Sequence, residues 1–369
     1  MAFETRLKSD QPGQLDIEYS INGEHHQIFF KSDSIDFCWD ASTQLCGTLL
    51  PSLIKTGHAH LASDIDPSLQ DNVEKLCAIY GQWLDKEMTL TRAGSAESQK
   101  VEPLPAERGT GCFFTGGVDS FYTYLKNAKE ITHIIYVHGF DVKLDQTEVR
   151  QQVSENLAAI ANAFDVKLIE IETNFREIWD LTGPWGELTH GPALATIAHL
   201  LKRHISKVII PASYTYNDLF MWGSHPITDP LWGDSQLSFV HDGCEARRTE
   251  KVAAIANSDI ALKHLRVCYM TNTTEFNCGR CQKCQRTMIN LLAAGALERC
   301  TTFPGAKLNF RKLKYITGTE LNTRTFLKDN IIALSERKDP LSLKVRNALE
   351  RSFNRPVLLR KAIRMVQMR

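Results

Sequence analysis

Six residues, Thr115-Gly116-Gly117-Val118-Asp119-Ser120, combine the types a chain uses to hold phosphate. They follow the apolar run Cys112-Phe113-Phe114 and precede a helix-like segment, Phe121 to Asn127. Two adjacent glycines between a buried strand and a helix let the backbone turn tightly and approach a ligand closely. The hydroxyls of Thr115 and Ser120 and the free N–H groups of a helix start then face one small volume, which suits an anionic phosphate chain.

Cys268, Cys278, Cys281 and Cys284 form a second set. Two overlapping C-x-x-C steps put three thiolates on one tight loop, and Cys268 arrives from just upstream. Four sulfur ligands in a closed set fit a tetrahedral structural Zn²⁺. Four cysteines also serve iron–sulfur clusters, and C-x-x-C alone serves a redox dithiol. Zinc in a structural role, with no open coordination position, is the expectation.

A third, polar cluster runs from His241 to Arg248 behind the apolar stretch Leu237 to Val240. Arg247 is expected to clamp a phosphate or carboxylate. Cys244 is read first as an ordinary half-buried cysteine, and second as a nucleophile whose pKa Arg247 or Arg248 would lower. Ser213, behind the run Val208 to Pro211, forms a wall for nucleotide or substrate with Tyr214, Asn217 and Asp218.

The elements that must position these groups alternate in type. Cys112–Phe114, Ile131–Val137, Leu168–Ile171 and Val208–Pro211 read as buried strands. Glu148–Ala163 and Ala193–His204 carry helical faces. This rhythm predicts an α/β fold with a parallel sheet flanked by helices, its ligand at the carboxyl ends of the strands. Residues 1–90 read as a separate α+β module. There Leu15, Ile17, Tyr19 and Ile21 alternate up to a hairpin turn at Asn22-Gly23, and Asp66-Pro67 caps a helix. Residues 91–108 read as a linker, 109–300 as the main domain and 301–369 as a basic helical region. That last region holds sixteen Lys and Arg against five Asp and Glu. Its run from Arg355 to Arg364 resembles a basic amphipathic helix, read as a solvated face or as a surface for RNA or another acidic partner.

Lys plus Arg and Asp plus Glu balance at 43 each, so composition implies no nucleic-acid or membrane partner. No apolar run approaches the ~20 residues that cross a bilayer, and the start lacks a signal pattern. A cytoplasmic chain is expected, with its ten cysteines mostly reduced.

The loop resembles the SGGxDS signature of the PP-loop ATP pyrophosphatases, with Thr115 in place of the first serine. Loop and cysteines together, Cys268-Tyr269 and then Cys278-Gly279-Arg280-Cys281-Gln282-Lys283-Cys284 with Arg286 beyond, resemble the 7-cyano-7-deazaguanine synthase (QueC) branch. The resemblance covers roughly residues 109–300. It implies an adenine nucleotide alpha hydrolase-like fold and cleavage of ATP between the α and β phosphates. Thr115, Gly116, Gly117, Val118, Asp119 and Ser120 would hold the phosphates, and Asp119 would help to place Mg²⁺ or cap the following helix. Lys251 aligns with a lysine that reaches phosphate. Asp119, Ser120 and Lys251 are the implied catalytic residues.

The sequence departs from the family on the acceptor side. His138-Gly139-Phe140-Asp141 stands for Gly-Gln-Arg, and Thr189-His190-Gly191-Pro192 for Gly-Arg-Asn. His225-Pro226-Ile227-Thr228-Asp229-Pro230 only loosely matches Pro-Asp-Cys-Arg. The expected function is an ATP-dependent, AMP-forming ligase that activates a carboxylate, of 7-deazaguanine type or related, for attack by ammonia or an amine. Such proteins also occur in bacterial anti-phage cassettes, which adds a macromolecular amine to the acceptors considered. One alternative is thiolation of a tRNA base, with Cys244 or Cys112 catalytic. Another is a nucleotide-binding partner module without catalysis, as in a defence complex. A homodimer is one assembly considered, and the sequence does not fix the oligomeric state.

Overall fold

A computed structural model describes residues 4–21, 23–62, 64–92, 103–268, 276–303, 308, 321–356 and 358–359. Ten strands are described. They are β1 (Glu4–Gln11), β2 (Gln14–Ile21), β3 (Glu24–Lys31), β4 (His58–Leu61), β5 (Thr89–Arg92), β6 (Gly109–Phe113), β7 (His133–His138), β8 (Lys167–Thr173), β9 (Ile205–Pro211) and β10 (Ser238–Asp242). The helices are α1 (Ala41–Thr56), α2 (Pro67–Leu84), α3 (Val118–Lys126), α4 (Thr147–Phe164), α5 (Arg176–Thr182), α6 (His190–Leu200), α7 (Arg248–Ile255), α8 (Asp259–His264), α9 (Gln282–Ala293), α10 (Leu321–Ser335) and α11 (Pro340–Phe353).

Eight strands form one sheet in the order β1-β2-β3-β8-β7-β6-β9-β10. The five from β8 to β10 run parallel, and β1 to β3 join antiparallel. The central strand β7 is buried at every position, as a strand covered on both faces is. Along β7, Ile134 and Tyr136 enter one core while Ile135 and Val137 enter the other, the period-two alternation of a strand. One core packs under α1, α2, α5 and α6, and the other under α3, α4 and α7 to α11.

Residues 4–92 are not set apart from the rest. Phe30 of β3 pairs with Thr173 of β8, and Leu15, Ile17 and Phe30 share a core with Ile171, Phe175 and Ile197. The separate module read from the sequence is thus an antiparallel extension of the same sheet. Hairpin alternation records which face is buried, but not which strand lies beside it. Asn22 and most of the expected linker, 93–102, lie outside the described residues. Asp66 caps α2 as expected, accepting from Ser68 N at 2.9 Å.

Helix α6 begins at His190, earlier than expected, after a π-helical turn over Trp185–Thr189. The described part of the C-terminal region is a helical hairpin, α10 and α11. It buries Leu327, Leu334, Val345 and Leu349 in the second core. Most of the basic run ending at Arg364 lies outside the described residues. Among the described residues, no helix is long and apolar enough to cross a membrane.

β6 sits at a topological switch point. The chain runs from β6 outward through β7 and β8, then returns to β9 on the other side of β6. Crevices outside strand ends at such points are where open α/β sheets bind ligands.

Candidate functional site

A cavity of about 260 Å³ opens at this point, over the ends of β6, β7 and β9. The loop Thr115 to Ser120 forms one side. Gly116 has φ of 73°, a conformation glycine adopts without strain, and its carbonyl accepts from Arg266 N at 2.8 Å. Gly117 is the N-cap of α3 in extended conformation, with no side-chain cap. The first N–H groups of α3 are therefore left for a ligand. Thr115, Gly117, Asp119 and Ser120 all line the cavity, whereas the side chain of Val118 is buried in the core. Ser120 Oγ donates to Gly117 O at 3.0 Å, fixing the turn.

Asp119 does not cap its helix. Its carboxylate lies 3.2 Å from Arg248 Nη1 and 3.4 Å from Lys251 Nζ. Burial opposes its charge, but Lys251, Arg248 and Arg286 hold its pKa below the usual carboxylate range. Lys251 is 1% exposed and also donates to Ala212 O at 2.6 Å, so it braces Asp119 and β9 from behind the cavity wall.

Arg247, the expected clamp, and its neighbour Arg248 point to different places, and neither lines this cavity. Arg247 is exposed, with Nε 3.8 Å from Asp329 Oδ1, and is not part of the cavity. Arg248, the first residue of α7, turns inward, and its buried Nε has no acceptor among the described residues. A single helical step rotates a side chain by ~100°, enough to send the two side chains in different directions. Ser213 lines the cavity as expected.

The cysteine loop contributes more than a staple. The four sulfurs lie within 4.8 Å of one another, with Cys268–Cys281 at 4.0 Å and Cys278–Cys284 at 3.9 Å. Zn–S bonds of ~2.3 Å set the edges of a tetrahedron near ~3.8 Å, so this set can hold one metal ion. Sulfurs this close leave no room for a multi-iron cluster between them. Backbone N–H groups of Cys281 and Cys284 donate to Cys278 and Cys281 sulfurs at 3.3 and 3.4 Å, as suits thiolate ligands. A hydrogen bond from Cys284 brings Cys281 down to about 5, and the same bond raises Cys284.

Asn277, 1% exposed, holds the loop in register. Its Oδ1 accepts from Val267 N and Cys268 N, and its Nδ2 donates to Leu265 O. Tyr269 lies outside the described residues. Between Cys281 and Cys284, at the start of α9, Lys283 reaches the cavity. Burial lowers its pKa, against Asp141, although much of its surface faces the open cavity.

The far side of the cavity is aromatic. Phe140, Trp185, His190 and Trp222 line it with Asp141 and Ser224. Trp185 is stacked by the Arg176 guanidinium at 4.6 Å. Gly191 permits this wall, because a Cβ there would stand 1.9 Å from Gly223 O. Behind Ser224, Asp229 accepts from Ser224 Oγ at 2.6 Å and from His225 N at 3.1 Å, and lies 2.7 Å from His241 Nδ1. Burial alone would lower the His241 pKa, but hydrogen bonds with Asp229 and Cys244 raise it to about 9. Cys244 is fully buried, at 1% exposed, rather than half-buried.

Sequence reasoning gave no site role to Lys283, Asn277 or Asp229, and it named His241 and Arg248 only within the polar cluster His241 to Arg248. No family model, curated protein or solved structure matches the chain.

Proposed function

We propose that the protein is an ATP-dependent, AMP- and pyrophosphate-forming ligase that activates a carboxylate for attack by an amine, with a PP-loop nucleotide site of 7-cyano-7-deazaguanine synthase type. One observation carries the reading. Arg248 and Lys251 pair with Asp119 at the N-terminus of α3, Arg286 acts on the same carboxylate, and Lys283 lines the cavity beside them. This basic surrounding fits a triphosphate and the charge built up during its cleavage.

A carboxylate is a poor electrophile because its oxygen is a poor leaving group. Attack of its oxygen on the α-phosphorus expels pyrophosphate and leaves a mixed anhydride, from which nitrogen then displaces AMP. Such transfer depends on placement and charge stabilisation rather than on a protein nucleophile. Gly116 and Gly117 bring the backbone close to the phosphates, and Lys283 and Arg248 balance the departing pyrophosphate. Lys251 and Asp119 hold the cradle in shape. Mg²⁺ would enter with the nucleotide and neutralise phosphate oxygens. Zn²⁺ in the four-cysteine set would keep Lys283 at the cavity. The aromatic chamber and Asp141 suit a flat carboxylate with N–H donors, such as a 7-deazaguanine acid.

Sulfur transfer has less in its favour. Cys112 is buried inside β6 with its pKa raised by burial, and Cys244 is enclosed. The test incubates protein, ATP and Mg²⁺ with a panel of carboxylates that includes 7-carboxy-7-deazaguanine, and follows AMP and pyrophosphate. Carboxylate-dependent release, lost in Lys283→Ala, is expected. ATP binding without release for any acid would instead favour a non-catalytic nucleotide module.

A further inference from the structure

A second cavity, of about 220 Å³, adjoins the first and shares Ser213 with it. One wall is the loop after β9, with Tyr214, Asp218 and Phe220. The other is α10, with Phe326 and Asp329. Tyr214 and Phe326 stack at 6.0 Å, and Phe220 meets Tyr214 edge-on at 4.7 Å.

Two carboxylates stand among these rings. Asp329 is 8% exposed, and its pKa is raised by burial and by Asp218 and Glu250, against Arg247 and Lys328. Arg247 approaches Asp329 only to 3.8 Å from an exposed side chain. Arg248 also borders the cavity, but it directs Nη1 to Asp119 and Nη2 to Thr287. A cavity with one buried acid, a half-buried one that accepts from Thr215 Oγ1 at 2.7 Å, aromatic faces and such partial compensation favours a cation that carries carbon.

We propose that this second cavity binds the nucleophile of the ligase reaction as an organic primary ammonium, its nitrogen between Asp218 and Asp329 and its carbon on the aromatic walls. The proposal rests on the ligase reading and selects an organic amine over ammonia. A bare ammonium ion would forgo the ring contacts, and a neutral alcohol would leave the acids unbalanced. Ser213 marks the junction of the two cavities, beside the loop where the mixed anhydride forms. There the nitrogen, having given one proton to Asp329, forms the C–N bond. The C–O bond to the phosphate breaks, AMP leaves with its electron pair, and the second proton passes to water. Helix α10 lies outside the region of family resemblance, so this cavity is completed by the chain's own C-terminal region.

Binding of n-butylammonium, with 1-butanol as its neutral isostere, can be measured by saturation-transfer NMR without any turnover. Butylammonium is expected to bind ~10-fold more tightly than butanol, and Asp218→Asn and Asp329→Asn each to weaken it ~10-fold with unchanged thermal stability. Asp218 lies on a loop, so its variant carries the comparison if Asp329→Asn unfolds. In turnover, Asp218→Asn should raise the butylamine KM by a larger factor than it changes the carboxylate KM. Equal binding of butanol and butylammonium, or binding unchanged in both variants, would overturn the proposal. Absence of carboxylate-dependent ATP–pyrophosphate exchange in the wild type would instead defeat the ligase reading, and the binding comparison would still judge the cavity.

Discussion

Two neighbouring arginines stand in different surroundings. Arg248 contacts Asp119 and Arg247 faces Asp329 on the outside. Replacing Arg247 with alanine should leave turnover within ~3-fold of wild type. Arg248→Ala and Lys283→Ala should each lower it by ~10²-fold, the scale of removing one charge-stabilising donor. AMP formation at saturating ATP checks all three. The loop glycines, Asp119 and the cysteines were legible because their chemistry needs fixed types at fixed spacing. Lys283 was not, because it occupies an interchangeable position of a C-x-x-C step. His241 carries a second prediction. Its pKa is raised, so its contribution is complete below about pH 6.5 and is lost as pH rises through about 9. The stability difference between wild type and His241→Gln should shrink by ~2–3 kcal/mol over that window, read by denaturant unfolding at each pH.

At the scale of elements, the four-cysteine segment joins two tasks. It terminates the stretch after α8, starts α9 and thereby carries Lys283 to the cavity. If the set holds the proposed zinc, removing it should loosen both. Chelation is expected to lower the melting temperature and weaken ATP binding together, with one zinc per chain lost by metal analysis. Unchanged ATP affinity in the metal-free protein would mean that the loop is a staple only. The alternation of strands and helices over 109–242 was readable because short apolar, β-branched-rich stretches such as Ile134–Val137 and Val208–Ile210 alternate with segments of helical periodicity. Helix α6 starts early because its first turn continues a π-helical segment, which no periodicity marks.

The whole molecule is organised around one eight-stranded sheet, and here the sequence was least informative. Hairpin alternation in β2 and β3 exposed their buried face, but pairing of β3 with β8 joins residues 143 positions apart, Phe30 and Thr173. A consequence follows for truncation. Without residues 1–90, Ile171, Phe175 and Ile197 lose the apolar side chains that cover them. The fragment 103–369 should aggregate or unfold without cooperativity. A sharp calorimetric transition with retained ATP binding would show that the N-terminal strands are dispensable.

The central claim is that a carboxylate oxygen attacks the α-phosphorus of ATP. The most direct measurement supplies the acid with ¹⁸O in its carboxylate and analyses the nucleotide product by mass spectrometry. Transfer of one ¹⁸O atom into AMP, with pyrophosphate unlabelled, is the expected result. Unlabelled AMP, or ADP as the nucleotide product, would contradict it.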